Sequence, residues 1–136
     1  MSREFRYQRR VTFAETDMAG VMHFSNYYRW LEEIEHAWWR SLGMSVCTHD
    51  GLQSVSWPRV KTTCEYIRPA RFEDVLDLSL RVTRVGGKSL EYEVDFARGG
   101  EPIARGTTVA VCCQIDRGGI FRSIEIPPDI RAKLTA

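Results

Sequence analysis

Residues 13 to 43 read FAETDMAGVMHFSNYYRWLEEIEHAWWRSLG, and their second half decides much of the fold. Tyr27, Trp30, Leu31, Ile34, Ala37, Trp38 and Leu42 recur at the i, i+3, i+4, i+7 spacing of a helix with one buried face. Arg29, Glu32, Glu33, His36 and Arg40 take the other side. Ser25 or Asn26 stands where an N-cap belongs, and Gly43 stands just past the last periodic residue. The pattern predicts one long helix of about four turns. The first half poses a question: an acidic residue, Asp17, sits with Ala19 and Gly20 in the short stretch before this aromatic-rich helix.

Outward from the helix the period changes. In VLDLSLRV, Leu76, Leu78, Leu80 and Val82 alternate with polar residues, and in SLEYEVDF, Leu90, Tyr92, Val94 and Phe96 do the same. VKTTCEYI (60–67), IARGTTVAVCCQI (103–115) and, near the start, FRYQRRVTF (5–13) complete a set of five predicted strands. Gly86-Gly87, Gly99-Gly100 and Gly118-Gly119 fall between or just after these runs, where glycine supplies the positive φ of hairpin turns. None of the three pairs is followed by a helix pattern, so turn chemistry is favoured over a phosphate cradle. One helix and five antiparallel strands close a core in few ways. The sheet curls around the helix and buries its Trp-rich stripe, an α+β architecture. Apolar and small residues that cannot all face one helix predict packing between subunits, hence an oligomer of at least two chains.

The bulk numbers exclude several classes. At 136 residues the chain fits one domain, 1–136, with a core large enough to stand without staples. A net charge of +1 and no basic run argue against nucleic acid as a partner. The opening MSREFRYQRR has no apolar h-region, and no run approaches the roughly 20 apolar residues of a membrane span. A soluble, cytoplasmic protein is expected. Cys47, Cys64, Cys112 and Cys113 lack CxxC spacing and read as small buried hydrophobes. His23, His36 and His49 are scattered without ligand spacing, so no metal is assigned.

With these elements in place, the chain resembles the hotdog fold, in particular the 4-hydroxybenzoyl-CoA thioesterase family of acyl-CoA thioesterases. The resemblance covers most of the chain and is strongest over F-x-E-T-D-x-A-G-V-x-H-F-S-N-Y-Y-R-W-L-E, Phe13 to Glu32. A second match is YIRPARFEDVL, residues 66 to 76, which resembles the family's strand, Pro-containing turn and next strand. What it implies for the fold is a five-stranded antiparallel sheet wrapped around one long central helix. For the opening question, it implies that Asp17 is the catalytic carboxylate, delivered by its loop beside the helix N-terminus. Without the resemblance, an aspartate before a helix reads first as a cap.

The chemistry fits a single carboxylate. The leaving thiol of a thioester is weakly basic, with a pKa near that of cysteine, about 8.5, so its departure needs little acid help. Asp17 either attacks the carbonyl to form a mixed anhydride or deprotonates a water. Both routes build negative charge on the carbonyl oxygen, which a helix N-terminus stabilises through its unpaired N–H groups. The expected donor is the backbone N–H of Phe24 or a neighbour. Gly20 would let substrate approach the loop, and Asn26 either caps the helix or touches the site. Glu15 is expected to be solvated or structural. Relatives that carry a histidine beside the aspartate have it one position later, where this chain has Phe24, so His23 either lines the pocket or packs.

By the same resemblance, Lys88 and Ser89 in the GGKS segment (86–89) and Arg122 in IFRSIEIP contact the phosphates of coenzyme A. Gly86 and Gly87 stand where relatives have arginines. Surface solvation is the competing reading for Lys88 and Arg122. The implied substrate is an acyl-CoA or an acyl carrier protein thioester. The implied assembly is a homo-dimer or homo-tetramer, and no cofactor is needed beyond the CoA of the substrate. Trp30, Trp38, Trp39, Trp57 and the tyrosines leave aromatic and aliphatic acyl groups both open, with Trp30 and Trp38 core residues first. Two other functions compete. A hotdog dehydratase requires a histidine-centred motif that this chain lacks, and an acyl-CoA binding module would have no use for the Asp-containing loop.

Overall fold

The alternation in the sequence becomes a five-stranded antiparallel sheet in the order β1-β5-β6-β7-β4, formed by Glu4–Arg10, Val75–Val85, Ser89–Arg98, Glu101–Val111 and Arg59–Tyr66. These are the five runs read above. The structure, a computed structural model, describes residues 4–50 and 53–136, with the side chains of 48–50 and 53, including His49, outside that description. Helix α1, Ser25–Ser41, lies against the inner face. Its buried residues are Tyr27, Trp30, Leu31, Ile34, Glu35, Trp38 and Trp39.

The register explains the fit. Phe5, Leu80, Val94, Gly106 and Cys64 stand in one cross-strand row, and Tyr7, Leu78, Phe96, Ala104 and Tyr66 in the next row along. Residue 106 must be small: a Cβ there would lie 2.6 Å from Leu31 Cδ2. The helix therefore rests on the sheet at its centre. The opposite face carries the other phase, with the ion pairs Arg81–Glu93 and Arg105–Asp95.

The helix ends as its sequence predicts at one terminus and not at the other. Gly43, at φ +74°, donates its N–H to Arg40 O while the Met44 N–H reaches Trp39 O, the paired bonds of a Schellman stop. At the start, neither Ser25 nor Asn26 is the N-cap. That position is Phe24, in αR conformation with no side-chain cap, and the Ser25 N–H instead reaches His23 Nδ1 at 3.3 Å. Asn26 does not cap because its amide is taken by the Glu15 carbonyl.

Turn glycines divide in the same way. Gly99 and Gly100, at φ +54° and +84°, join β6 to β7 with both central residues left-handed. Gly86, Gly87 and Gly118 have no positive φ, contrary to expectation. At Gly87 the constraint is space, since a Cβ would lie 3.1 Å from Glu125 Oε2.

A second sheet, ordered β2-β3-β8-β9, was not legible in the sequence: Cys47–Asp50, Gln53–Ser56, Cys113–Ile115 and Phe121–Ser123. The run 103–115 divides between the two sheets at Cys112. A short helix α2, Pro128–Leu134, follows Pro127 and packs against β5. Cys112 and Cys113 are buried, as expected of small hydrophobes, while Cys47 and Cys64 are half-buried.

Candidate active site

The site grows out of the loop between β1 and α1. A single 3-10 turn, Phe13–Glu15, opens it, and the chain then folds back on itself. The Asp17 N–H donates to Val21 O, and the Gly20 N–H donates to Asp17 O. Gly20 takes φ +81° with open space where a Cβ would project. An L-residue would be strained there, so the tight return requires glycine.

Asp17 stands at the exposed tip of this return. Its Oδ1 accepts the N–H of Ala19 at 2.8 Å and of Val21 at 3.4 Å, while its Oδ2 has no hydrogen bond within the described residues. One oxygen thus anchors the carboxylate and the other is available. Asp17 and Phe24 line an open cleft of about 330 Å³, together with Val21, Met22, Tyr27, Tyr66, Ile67, Arg68 and Pro69. The backbone N–H of Phe24, in the first turn before α1, has no hydrogen-bond acceptor among the described residues. It is one of the orphan donors that every helix start leaves.

The second stretch that carried the resemblance forms the facing wall. The Met22 N–H donates to Ala70 O at 2.7 Å, and Val21 bridges to Arg71. Asp74 secures that wall by accepting from the Arg71 N–H and from Arg98 at 2.7 Å. Burial alone would raise the Asp74 carboxyl, but these donors outweigh it and hold it below the ordinary carboxylate value. Tyr66 donates its hydroxyl to Phe24 O at 3.2 Å and meets Tyr27 edge to face at 5.1 Å. Burial pushes the Tyr27 phenol up to about 12 and raises Tyr66 as well, with Cys64 adding to both. Both phenols are therefore protonated donors near neutral pH.

The remaining predicted residues are placed around this centre. Gly20 shapes the loop, and Asn26 Nδ2 donates to Glu15 O at 2.8 Å. His23 lies outside the cleft lining: its Nδ1 is 2.8 Å from Ser25 Oγ and its ring stacks on Phe24. Glu15 is structural, as one of the two expectations had it. Its carboxylate accepts from Arg9, Thr12 and Trp30. Burial opposes its charge, yet the hydrogen bonds from Thr12, Trp30 and Arg9 prevail and hold the carboxyl below its ordinary value.

Lys88, Ser89 and Arg122 are not brought to Asp17. The Cys112 N–H donates to Lys88 O, and Cys112 O accepts from Ile124, so Lys88 and Arg122 share one end of the molecule. Phe96, which packs on the cleft residue Tyr27, lies seven positions along β6 from Ser89, roughly 24 Å of strand. Arg68 is the one cation lining the cleft among the described residues. Its sequence context, a strand followed by a Pro-containing turn, carries no signal that singles it out.

The chain and its fold have known counterparts. The family described as the thioesterase-like superfamily matches residues 11–134. A 4-hydroxybenzoyl-CoA thioesterase of Pseudomonas sp. is 26% identical over 136 residues, covering 95% of this chain and 96% of that protein. A 1,4-dihydroxy-2-naphthoyl-CoA hydrolase of Synechocystis sp. is 28% identical over 110 residues, covering 79% and 80%. Among solved structures, a gentisyl-coenzyme A thioesterase superposes with a TM-score of 0.78 at 25% identity, covering 97% of this chain and 100% of that one. A 4-hydroxybenzoyl-CoA thioesterase complexed with 4-hydroxybenzoyl-CoA superposes at 0.82 with 21% identity, covering 97% and 99%, a likeness of fold. A sheet wrapped around one helix and a family match along nearly the whole chain lead to one assignment: the chain belongs to the thioesterase-like superfamily and is a hotdog-fold thioester hydrolase.

Proposed function

We propose that this enzyme hydrolyses an acyl-CoA with Asp17 as the reacting carboxylate and the Phe24 N–H as oxyanion donor. The observation that carries the reading is the pairing of two unsatisfied groups in one cleft: a carboxylate oxygen whose twin is anchored, and a helix-start N–H with no acceptor. In the nucleophilic route, Oδ2 bonds to the thioester carbon and the carbonyl oxygen becomes an oxyanion held by the N–H. Collapse then expels the thiolate with the C–S electron pair, and water opens the resulting anhydride. In the general-base route, Oδ2 takes a proton from the water that attacks the same carbon. Mass analysis of an acid-quenched single turnover separates the two, since only the first adds an acyl group to Asp17.

The substrate class we propose is aromatic. Tyr27, Tyr66 and Phe24 give the cleft aromatic walls, and the relatives are named for hydroxybenzoyl, dihydroxynaphthoyl and gentisyl thioesters. The phosphate contacts of Lys88, Ser89 and Arg122 are read as presented by another protomer, because Ser89 lies about 24 Å along β6 from Phe96, which packs on the cleft residue Tyr27. A homo-oligomer is therefore part of the reading. It is supported by Phe13, Met18, Phe24 and Phe72, exposed around the loop.

Thiol release from a panel of aromatic and aliphatic acyl-CoAs, with folding and oligomer size measured in parallel, tests the proposal. Turnover of aromatic substrates that collapses in a folded Asp17→Asn establishes it. A wild type inactive on every member, or an unaffected variant, refutes it.

A further inference from the structure

Glu15 accepts more hydrogen bonds than a turn residue needs. Its carboxylate receives Arg9 Nη1 at 2.9 and 2.8 Å, the Thr12 N–H and hydroxyl at 2.9 Å each, and Trp30 Nε1 at 2.8 Å. Its carbonyl receives the His23 N–H and Asn26 Nδ2, both at 2.8 Å. Arg9 is itself fixed, by Glu33 at 2.9 Å and by the Trp30 ring, 4.6 Å below its guanidinium carbon. One residue is thus fastened to β1, to the second turn of α1 and to the helix start.

The location of these bonds matters more than their number. Glu15 lies two residues before Asp17, and His23 lies directly before Phe24. The bond from the His23 N–H to Glu15 O therefore crosses the loop one or two peptides from each group assigned to the chemistry. The Asp17 carboxylate bonds only within its own return, to Ala19 and Val21, which fixes it relative to the loop and not to the helix. Val21 and Met22 close the return itself, through the Asp17 N–H and the bridge to Thr16, and tie it to Ala70 and Arg71 on the facing wall, but neither reaches α1.

We infer that Glu15 is a positioning residue: by joining the Asp17 loop to the start of α1 it sets the distance between the Asp17 carboxylate and the Phe24 N–H. The inference rests on the proposed roles of those two groups. A displacement on the order of 1 Å costs up to about 10²-fold in rate when a reacting group must meet a fixed donor.

Glu15→Gln tests this nearly isosterically. A carboxylate is acceptor-only, whereas the amide turns an NH₂ group toward converging donors. With 4-hydroxybenzoyl-CoA as probe, the expected result is a fall in kcat of about 10- to 10²-fold with KM within about twofold. Trp30→Phe, which removes one donor and keeps a ring beneath Arg9, should give a smaller fall of the same kind. In the Asp17→Asn background, Glu15→Gln should cost nothing further, because a positioning residue has nothing left to position. A full additional loss in the double variant overturns the inference.

A second readout does not depend on activity. In Glu15→Gln the amides of residues 16–23 should lose hydrogen-exchange protection while those of β5 to β7 and the middle of α1 keep theirs. Unchanged protection at His23 overturns the inference even in an active enzyme. If the wild type turns over no acyl-CoA, the proposed function fails by itself, and the exchange data still decide whether Glu15 holds the loop.

Discussion

At the Asp17 end of the sheet a network of short side-chain bonds holds the loop, while at the Lys88 end Lys88 and Arg122 extend without ion pairs among the described residues. Around Asp17, Glu15 and Asp74 each fix a segment through several short bonds, and the loop, the helix start and the 66–74 wall lock together. At the other end, Lys88 Nζ and the Arg122 guanidinium have no ion-pair partner among the described residues, although their backbones are well tied through Cys112. The difference matches the two tasks proposed for them. Attack on a carbonyl carbon requires a carboxylate and a donor placed within fractions of an ångström. A flexible cation attracts a phosphate from many geometries, and a long side chain loses less by being free.

The largest effect expected from breaking this comparison is at Asp17. Asp17→Asn should lower kcat by about 10²- to 10⁴-fold while leaving the melting temperature within a few degrees, since the amide oxygen still accepts from Ala19. Next comes a change that strikes both ends alike. Gly106→Val places atoms where Leu31 already packs and should cost about 2 kcal/mol of stability, read as a lower denaturant midpoint with activity per folded molecule retained. At the loose end the effect should be smaller and of another kind. Lys88→Ala and Arg122→Ala should each raise KM several-fold at low salt with kcat unchanged, the difference shrinking at high ionic strength. A fall in kcat would show that this end is as tightly coupled to the chemistry as the Asp17 end.

The smallest effect is a dependence on pH. The Glu15 carboxyl lies below its ordinary 4.5 in the folded chain, so its contribution to stability is fully present above that value. It is lost as pH falls through the lower folded value. Wild type should therefore exceed Glu15→Gln in melting temperature at pH 7, with the gap closing below about pH 4.5. A gap that does not narrow as pH falls below 4.5 would assign the difference to packing instead of charge.

Some of this was legible without coordinates and some was not, for reasons that differ residue by residue. The five long strands and α1 carry seven or more residues each, enough for a period to show. The strands of the second sheet have three or four, too few for any period, and Cys112 hides the point where one run passes from sheet to sheet. Asn26 obeys the local preference for a cap in every respect except that a carbonyl 11 residues upstream claims its amide. Glu35 belongs to neither face of the helical stripe read from the sequence. It is fully buried because Arg59 and the Trp39 indole N–H meet it in the core.

Sequence alone determined the five long strands, α1 and the place of the acidic loop, because periodicity and the Asp17-to-helix spacing are properties of neighbours along the chain. Only the tertiary structure decided which oxygen of Asp17 is free, which N–H at the helix start lacks an acceptor, and that Lys88 and Arg122 stand at the far end from both. Periodicity does not reveal these, because the competition for each donor and acceptor is settled by what else the folded chain brings to the same place, whether a near neighbour such as Ala19 or a distant strand.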